Sequence, residues 1–236
     1  MNVAMRLAVF GLFFMGTVVY ADMPKGEYLK GKDSKVGVIL AHGLGSGPDS
    51  AVVGPLRKSI NKELGFHTLS LQMPVVSGAR TPDIYFEYSL TFPEAYKTIQ
   101  AGIDFLKKEK GVKRIYLMGY SMGGRMTTGF LAQNPDSGVI GYIGVGLLGG
   151  GQEPLNTNLN LKKVKVPVID VYADSDPDAE SAEFRKPFVS DRYTQVVISG
   201  AMHNYHGYDN QVAKEVIAWL KQQEKHALTR RAGRAK

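Results

Sequence analysis

The sequence predicts an α/β domain with a mostly parallel central sheet, helices on both faces and no large cap domain. Two observations carry this. Short apolar runs bounded by turn residues alternate with helical periods from residue 35 onward, and continuous apolar runs of that length mark strands buried on both faces. Alternation of strand and helix then implies an open sheet, because parallel neighbours need a crossover element to return the chain.

Six strands are expected in order. Val36 to Ala41 ends in His42-Gly43, and Thr68 to Met73 is stopped by Pro74. Arg114 to Met118 runs into Gly119, and Gly141 to Leu148 into three glycines. Val166 to Tyr172 follows Lys165, and Tyr193 to Ile198 ends in Ser199-Gly200. Helical periods fill the gaps. Val53 to Leu64 repeats apolar residues at Val53, Leu56, Ile60 and Leu64, and Pro93 to Lys108 does so at Tyr96, Ile99, Ile103 and Leu106. Gly123 to Gln133 and Asn210 to Lys221 complete the set, the last with Val212, Val216, Ile217 and Leu220 inward. Val75 to Thr91 fits neither period and is expected to be a long loop at a strand's C-terminal end, where such sheets bind ligands. Its Tyr85 and Tyr88 serve either as core cover or as substrate contacts.

Composition removes several chemistries. The 236 residues include no cysteine, so disulfides, thiolate metal sites and a cysteine nucleophile are excluded. Residues 1–21 have the layout of a secretory signal peptide: Arg6, an uncharged run from Leu7 to Val19, and small residues at Val19 and Ala21. A periplasmic or secreted location is therefore expected, with no stable membrane span after removal. The domain proper is expected over 22–220. Of the net charge of +7, +5 lies in the tail 221–236, where Lys221, Lys225, Arg230, Arg231, Arg234 and Lys236 face only Glu224. No aromatics interleave these charges, so a solvated, fraying end is expected rather than a nucleic-acid partner.

Gly119-Tyr120-Ser121-Met122-Gly123 matches G-x-S-x-G between an expected strand and an expected helix, the context of a nucleophile elbow. A serine needs a base and an acid behind it, and in this chain order both follow the nucleophile. Three histidines do: His203, His206 and His226. His226 lies in the basic tail. His203, just past the last expected strand, is preferred to His206. Asp176 is the preferred acid, immediately before Pro177, with Asp174 the alternative. Asp170 sits inside an apolar strand and needs a partner. The backbone N–H groups of Met122 and of Leu44, in the glycine-rich loop His42 to Gly47, are expected to form an oxyanion hole. His42 is read as a structural loop residue. Tyr120 joins Tyr85 and Tyr88 as a candidate substrate contact. No cofactor or metal is expected, and the partner is a small-molecule acyl substrate.

Together these residues resemble the α/β-hydrolase superfamily: His42-Gly43-Leu44-Gly45, the elbow at Ser121, the strand before Asp176 and Gly200-Ala201-Met202-His203 fall in its order. Leu71-Gln72-Met73-Pro74 and Pro167 to Ala173 are most similar to small exported bacterial hydrolases of the DUF3530 group. The resemblance implies a serine triad and an esterase-like activity; a thioesterase, lipase, peptidase or non-catalytic binding protein shares the fold. Ala173 departs from the glycine of many relatives. Dienelactone hydrolases are similar in size but use a cysteine that this chain lacks.

Overall fold

The computed structural model describes residues 21–77 and 82–234. The expected signal peptide, apart from Ala21, lies outside the described residues. Among those described, seven strands form one sheet: β1 (Gly26–Leu29), β2 (Val36–Ala41), β3 (His67–Leu71), β4 (Arg114–Tyr120), β5 (Val139–Val145), β6 (Val168–Ala173) and β7 (Tyr193–Ile198). Their spatial order is β1-β3-β2-β4-β5-β6-β7. Only β1 is antiparallel, to β3; every other pairing is parallel. The order reverses direction between β2 and β4, so the loops leaving those two strands diverge and open a crevice.

Seven helices accompany the sheet: α1 (Val53–Leu64), α2 (Pro82–Leu90), α3 (Phe92–Lys108), α4 (Met122–Gln133), α5 (Thr157–Lys163), α6 (Glu180–Glu183) and α7 (Asp209–Arg234). The period-two pleat sorts strand residues between two cores. Ile39, Leu69, Ile115 and Leu117 meet Ile99, Met126 and Phe130 on the α3–α4 face. Val38, Leu40, Met118, Val145 and Val171 meet Leu56, Ile60, Val216 and Trp219 on the α1–α7 face.

All six expected strands and all four expected helices are present, with ends shifted by a few residues. β1 and α6 lie outside the sequence reading, and three further segments differ from it. The expected loop from Val75 to Thr91 contains α2, while residues 78–81 lie outside the described residues. Among its described side chains, helix α2 buries Ile84 and Tyr88, one turn apart, and exposes Phe86 and Leu90, so its sequence shows little amphipathic contrast. The basic segment is helical through Arg234; Ala, Leu, Lys, Gln and Arg are strong helix formers, and Glu224 pairs with Arg114 and Tyr116 on β4. Helix α5 was not expected; the Asn156 side chain caps it by accepting from Leu159 N.

Asp170, on β6, finds its partner in Arg185. Both side chains are fully buried. Nε of Arg185 donates to Oδ2 at 2.8 Å and Nη2 to Oδ1 at 3.2 Å. Tyr193 Oη and Gln195 Nε2 also donate to Oδ2, at 2.9 and 3.0 Å. Burial opposes the guanidinium charge, yet the carboxylate of Asp170 holds the Arg185 pKa above its ordinary value. Arg185 Nη1 reaches Ser181 O at 2.9 Å in α6 and Asn158 Oδ1 at 3.2 Å in α5. This network fastens the segment after Ala173, which carries Asp176, to the sheet. Removing one partner strands the other charge in the interior. Arg185→Met should therefore destabilise the fold by about 3–5 kcal/mol, read as a lower midpoint of urea unfolding at an unchanged slope.

Candidate active site

Ser121 stands at the tip of β4, on the first residue before α4, with φ of 53°. That left-handed state is costly for a residue with a Cβ and lifts the side chain off the strand axis. The flanking glycines permit it. A Cβ on Gly123 would run into the carbonyl oxygens of Ala41 and His42, and one on Gly119 into Thr127 and Gly124. Helix α4 can thus fold back tightly against the strand that precedes it.

Two loops bring partners to the serine. His203 Nε2 lies 2.9 Å from Ser121 Oγ, and His203 Nδ1 lies 2.6 Å from Asp176 Oδ2. An ionised carboxylate only accepts, so Nδ1–H donates to Asp176 and Nε2 is left to accept from the serine hydroxyl. Asp176 is buried, and its Oδ1 accepts from Asp178 N at 2.9 Å. Asp174 points elsewhere. It is exposed and accepts from Gly200 N at 2.7 Å and from Ser199 Oγ at 2.8 Å, clasping the histidine loop to the acid loop. His206 and His226 are exposed and make no side-chain contact with Ser121.

The loop after β2 comes from the other side of the crevice. A Cβ on Gly43 would sit 3.2 Å from Ser121 Cβ, so this backbone passes close to the serine. Leu44 follows it, and Met122 opens α4 next to Ser121. His42 holds this loop: its Nδ1–H donates to Gly43 O at 2.9 Å, and its Nε2 accepts from Met73 N at 3.0 Å. Tyr88 accepts from Gly45 N at 3.0 Å through its hydroxyl.

The three candidate substrate tyrosines lie in different settings. Tyr85 is exposed and faces the Arg125 guanidinium, 5.6 Å from its ring centroid. Tyr88 is buried under the loop it bonds. Tyr120 is buried with its ring stacked on His203, centroids 5.5 Å apart, and its hydroxyl donates to His203 O at 3.1 Å. Arg125 was not singled out by the sequence, although a cation in a helix's first turn, against the dipole, is itself a signal. No group of acids and histidines suited to a metal ion occurs among the described residues. A cavity of about 380 Å³ opens at the opposite ends of β6 and β7, between Val166, Val168, Phe188 and Tyr193, and shares no residue with this site.

A serine on a strained strand–helix turn, in the crevice of a doubly covered parallel sheet, defines the class. The chain belongs to the α/β-hydrolase family: the Alpha/beta hydrolase domain matches residues 34–221. Solved structures of the same fold include Est1E from Butyrivibrio proteoclasticus, at 20% identity and TM-score 0.62, covering 82% of this chain and 90% of that one. A dienelactone hydrolase from Anabaena variabilis shows 19% identity and TM-score 0.65, over 83% and 89% of the two chains. A serine hydrolase without lid from Xanthomonas campestris shows 15% identity and TM-score 0.63, over 86% and 87%. No curated protein matches the sequence.

His42 and His67 both have pKa values below the ordinary one, and burial is the main cause in each. In the folded chain they stay neutral; in the unfolded chain they take up protons near pH 6.5. The unfolded state then binds more protons, so their stabilising effect is complete above about pH 6.5 and is lost as pH falls toward the folded-state values. Urea unfolding at pH 7.5 and pH 5.5 should show this loss, and His42→Asn should reduce it. An identical pH difference in the variant would contradict the assignment.

Proposed function

We propose that the protein is a serine hydrolase of esterase type, cleaving small acyl esters through Ser121, His203 and Asp176. The observation that carries this is the unbroken relay of bonds from Ser121 Oγ through both nitrogens of His203 to Asp176. Ser121 Oγ attacks the acyl carbonyl carbon as its proton passes to His203 Nε2. The carbonyl oxygen becomes an oxyanion and accepts from Leu44 N–H and Met122 N–H. His203 returns its proton to the leaving alkoxide, which departs as the alcohol. Water then cleaves the acyl-enzyme by the same steps, with His203 taking and returning the proton. Asp176 stays ionised and holds the imidazole in the useful tautomer. Tyr120 supports the ring from behind. The chemistry as written needs no metal or cofactor.

Export to the periplasm or medium belongs to the same proposal and rests on residues 1–21. Kinship with the exported DUF3530 hydrolases rests on Leu71 to Pro74 and Pro167 to Ala173. The structural relatives described as a dienelactone hydrolase and a serine hydrolase without lid are in keeping with a hydrolytic reaction.

The purified protein should react with a fluorophosphonate probe and hydrolyse p-nitrophenyl esters. Ser121→Ala and His203→Ala should each lower kcat by about a thousandfold or more, and the double variant little further, because the residues act as a unit. Equal rates for the wild type and Ser121→Ala would refute the reading, as would a folded protein that neither labels nor turns over.

A further inference from the structure

Arg125 sits in the first turn of α4, one turn after Ser121, and is 7% exposed. Everything about this placement is unfavourable on its own. A cation at a helix N-terminus opposes the dipole. A buried charge without an ion pair loses its hydration uncompensated, and burial lowers this arginine's pKa. Among the described residues it has no salt bridge, with the charge of Asp178 acting only at longer range, and its Nε is buried without a partner. A side chain kept under such conditions is held by what it touches.

It touches one loop and one ring. Nη1 donates to Gly150 O at 3.0 Å and to Leu155 O at 2.5 Å, and Nη2 donates to Gly149 O at 2.8 Å. The Tyr85 ring lies against the same guanidinium. The far half of the loop is held by α5, where Asn156 Nδ2 donates to Gly151 O at 2.8 Å and Asn160 Nδ2 to Pro154 O at 2.9 Å; the glycine half depends more on Arg125. Gly149-Gly150-Gly151 carries no side chains, Gly150 and Gly151 have φ of 76° and 79°, and a Cβ on Gly150 would meet nothing within 4 Å. Gly149 N also donates to Ser181 Oγ in the acid segment. The loop leaves the C-terminal end of β5, beside the strand that ends in Ser121, and α2 follows β3 at the same edge of the sheet. Arg125 therefore joins two segments at the edge of the sheet where Ser121 stands.

We propose that Arg125 is a positioning residue that sets the acyl-chain length accepted at Ser121, by locking the Gly149–Leu155 loop and the Tyr85 ring into one rigid wall. This rests on the esterase reading above and names its substrate class: esters of short acyl chains. With the guanidinium gone, three carbonyls and a ring lose their common anchor, and the wall yields to longer chains.

The test compares p-nitrophenyl butyrate with p-nitrophenyl decanoate for the wild type, Arg125→Met and Tyr85→Ala. The wild type should favour butyrate. In Arg125→Met the decanoate-to-butyrate ratio of kcat/KM should rise by about tenfold or more, mainly through a lower KM for decanoate. Tyr85→Ala, an exposed position that leaves the interior intact, should move the ratio the same way and keeps the test open if Arg125→Met does not fold. A purely structural arginine would lower both rates together and leave the ratio alone; that result, or a wild type that favours decanoate, overturns the proposal while leaving the esterase reading standing. No ester turnover by wild type overturns both.

Discussion

The close approach of backbone to backbone around Gly119, Ser121 and Gly123 is the constraint on which the site depends. Strand β4 must reverse into α4 within one residue, and it must do so with the β2 loop already pressed against the turn. Any side chain at Gly123 would collide with the Ala41 and His42 carbonyls. The turn's strain is concentrated at Ser121, the one residue there with both a positive φ and a reactive oxygen. Tight packing of small residues keeps that oxygen from relaxing back toward the strand.

Around this point the polar side chains divide into anchors and reacting groups. Asp174, Asp170, Arg185 and Arg125 each satisfy backbone or buried charge and thereby fix a loop. Asp176 and His203 use the positions so fixed. The division explains why three aspartates in seven residues, Asp170, Asp174 and Asp176, end in three different environments. One is sealed under α6 with an arginine, one binds the neighbouring loop from the outside, and one faces the imidazole. Spacing along a strand and its following turn, rather than residue type, separates them.

Much of this was legible in the sequence, because the informative signals were local. The Val36 to Ala41 run announces a buried strand by its continuous apolar character, and Val53 to Leu64 announces a helix by its period; Tyr193 to Ile198 forms its strand too, but at the sheet edge, where only its two end residues are buried. The motif at Ser121 and the position of His203 beyond the last strand follow from chain order. What the sequence concealed is tertiary. Among its described side chains, helix α2 has only two inward residues, so no period betrays it. Asp174 and Asp176 are separated by where the turn after Ala173 points, which depends on Gly200 and Ser199 far along the chain. The stacking of Tyr120 on His203 and the reach of Arg125 to Gly149 join residues distant in sequence, and no single-segment pattern encodes them.

The two faces of the sheet are completed at different moments of synthesis. The α3–α4 face receives its helices as the strands are made, and α1 covers part of the opposite face early, but the rest of that face waits for Val212, Val216, Trp219 and Leu220 of α7, which follows every strand of the sheet. Until then that side of the cluster holding Met118, Val145 and Val171 is incomplete. A nascent chain of this kind carries an apolar, β-rich surface until α7 docks, and a chaperone able to shield it before then would act at the stage when aggregation competes most strongly with folding.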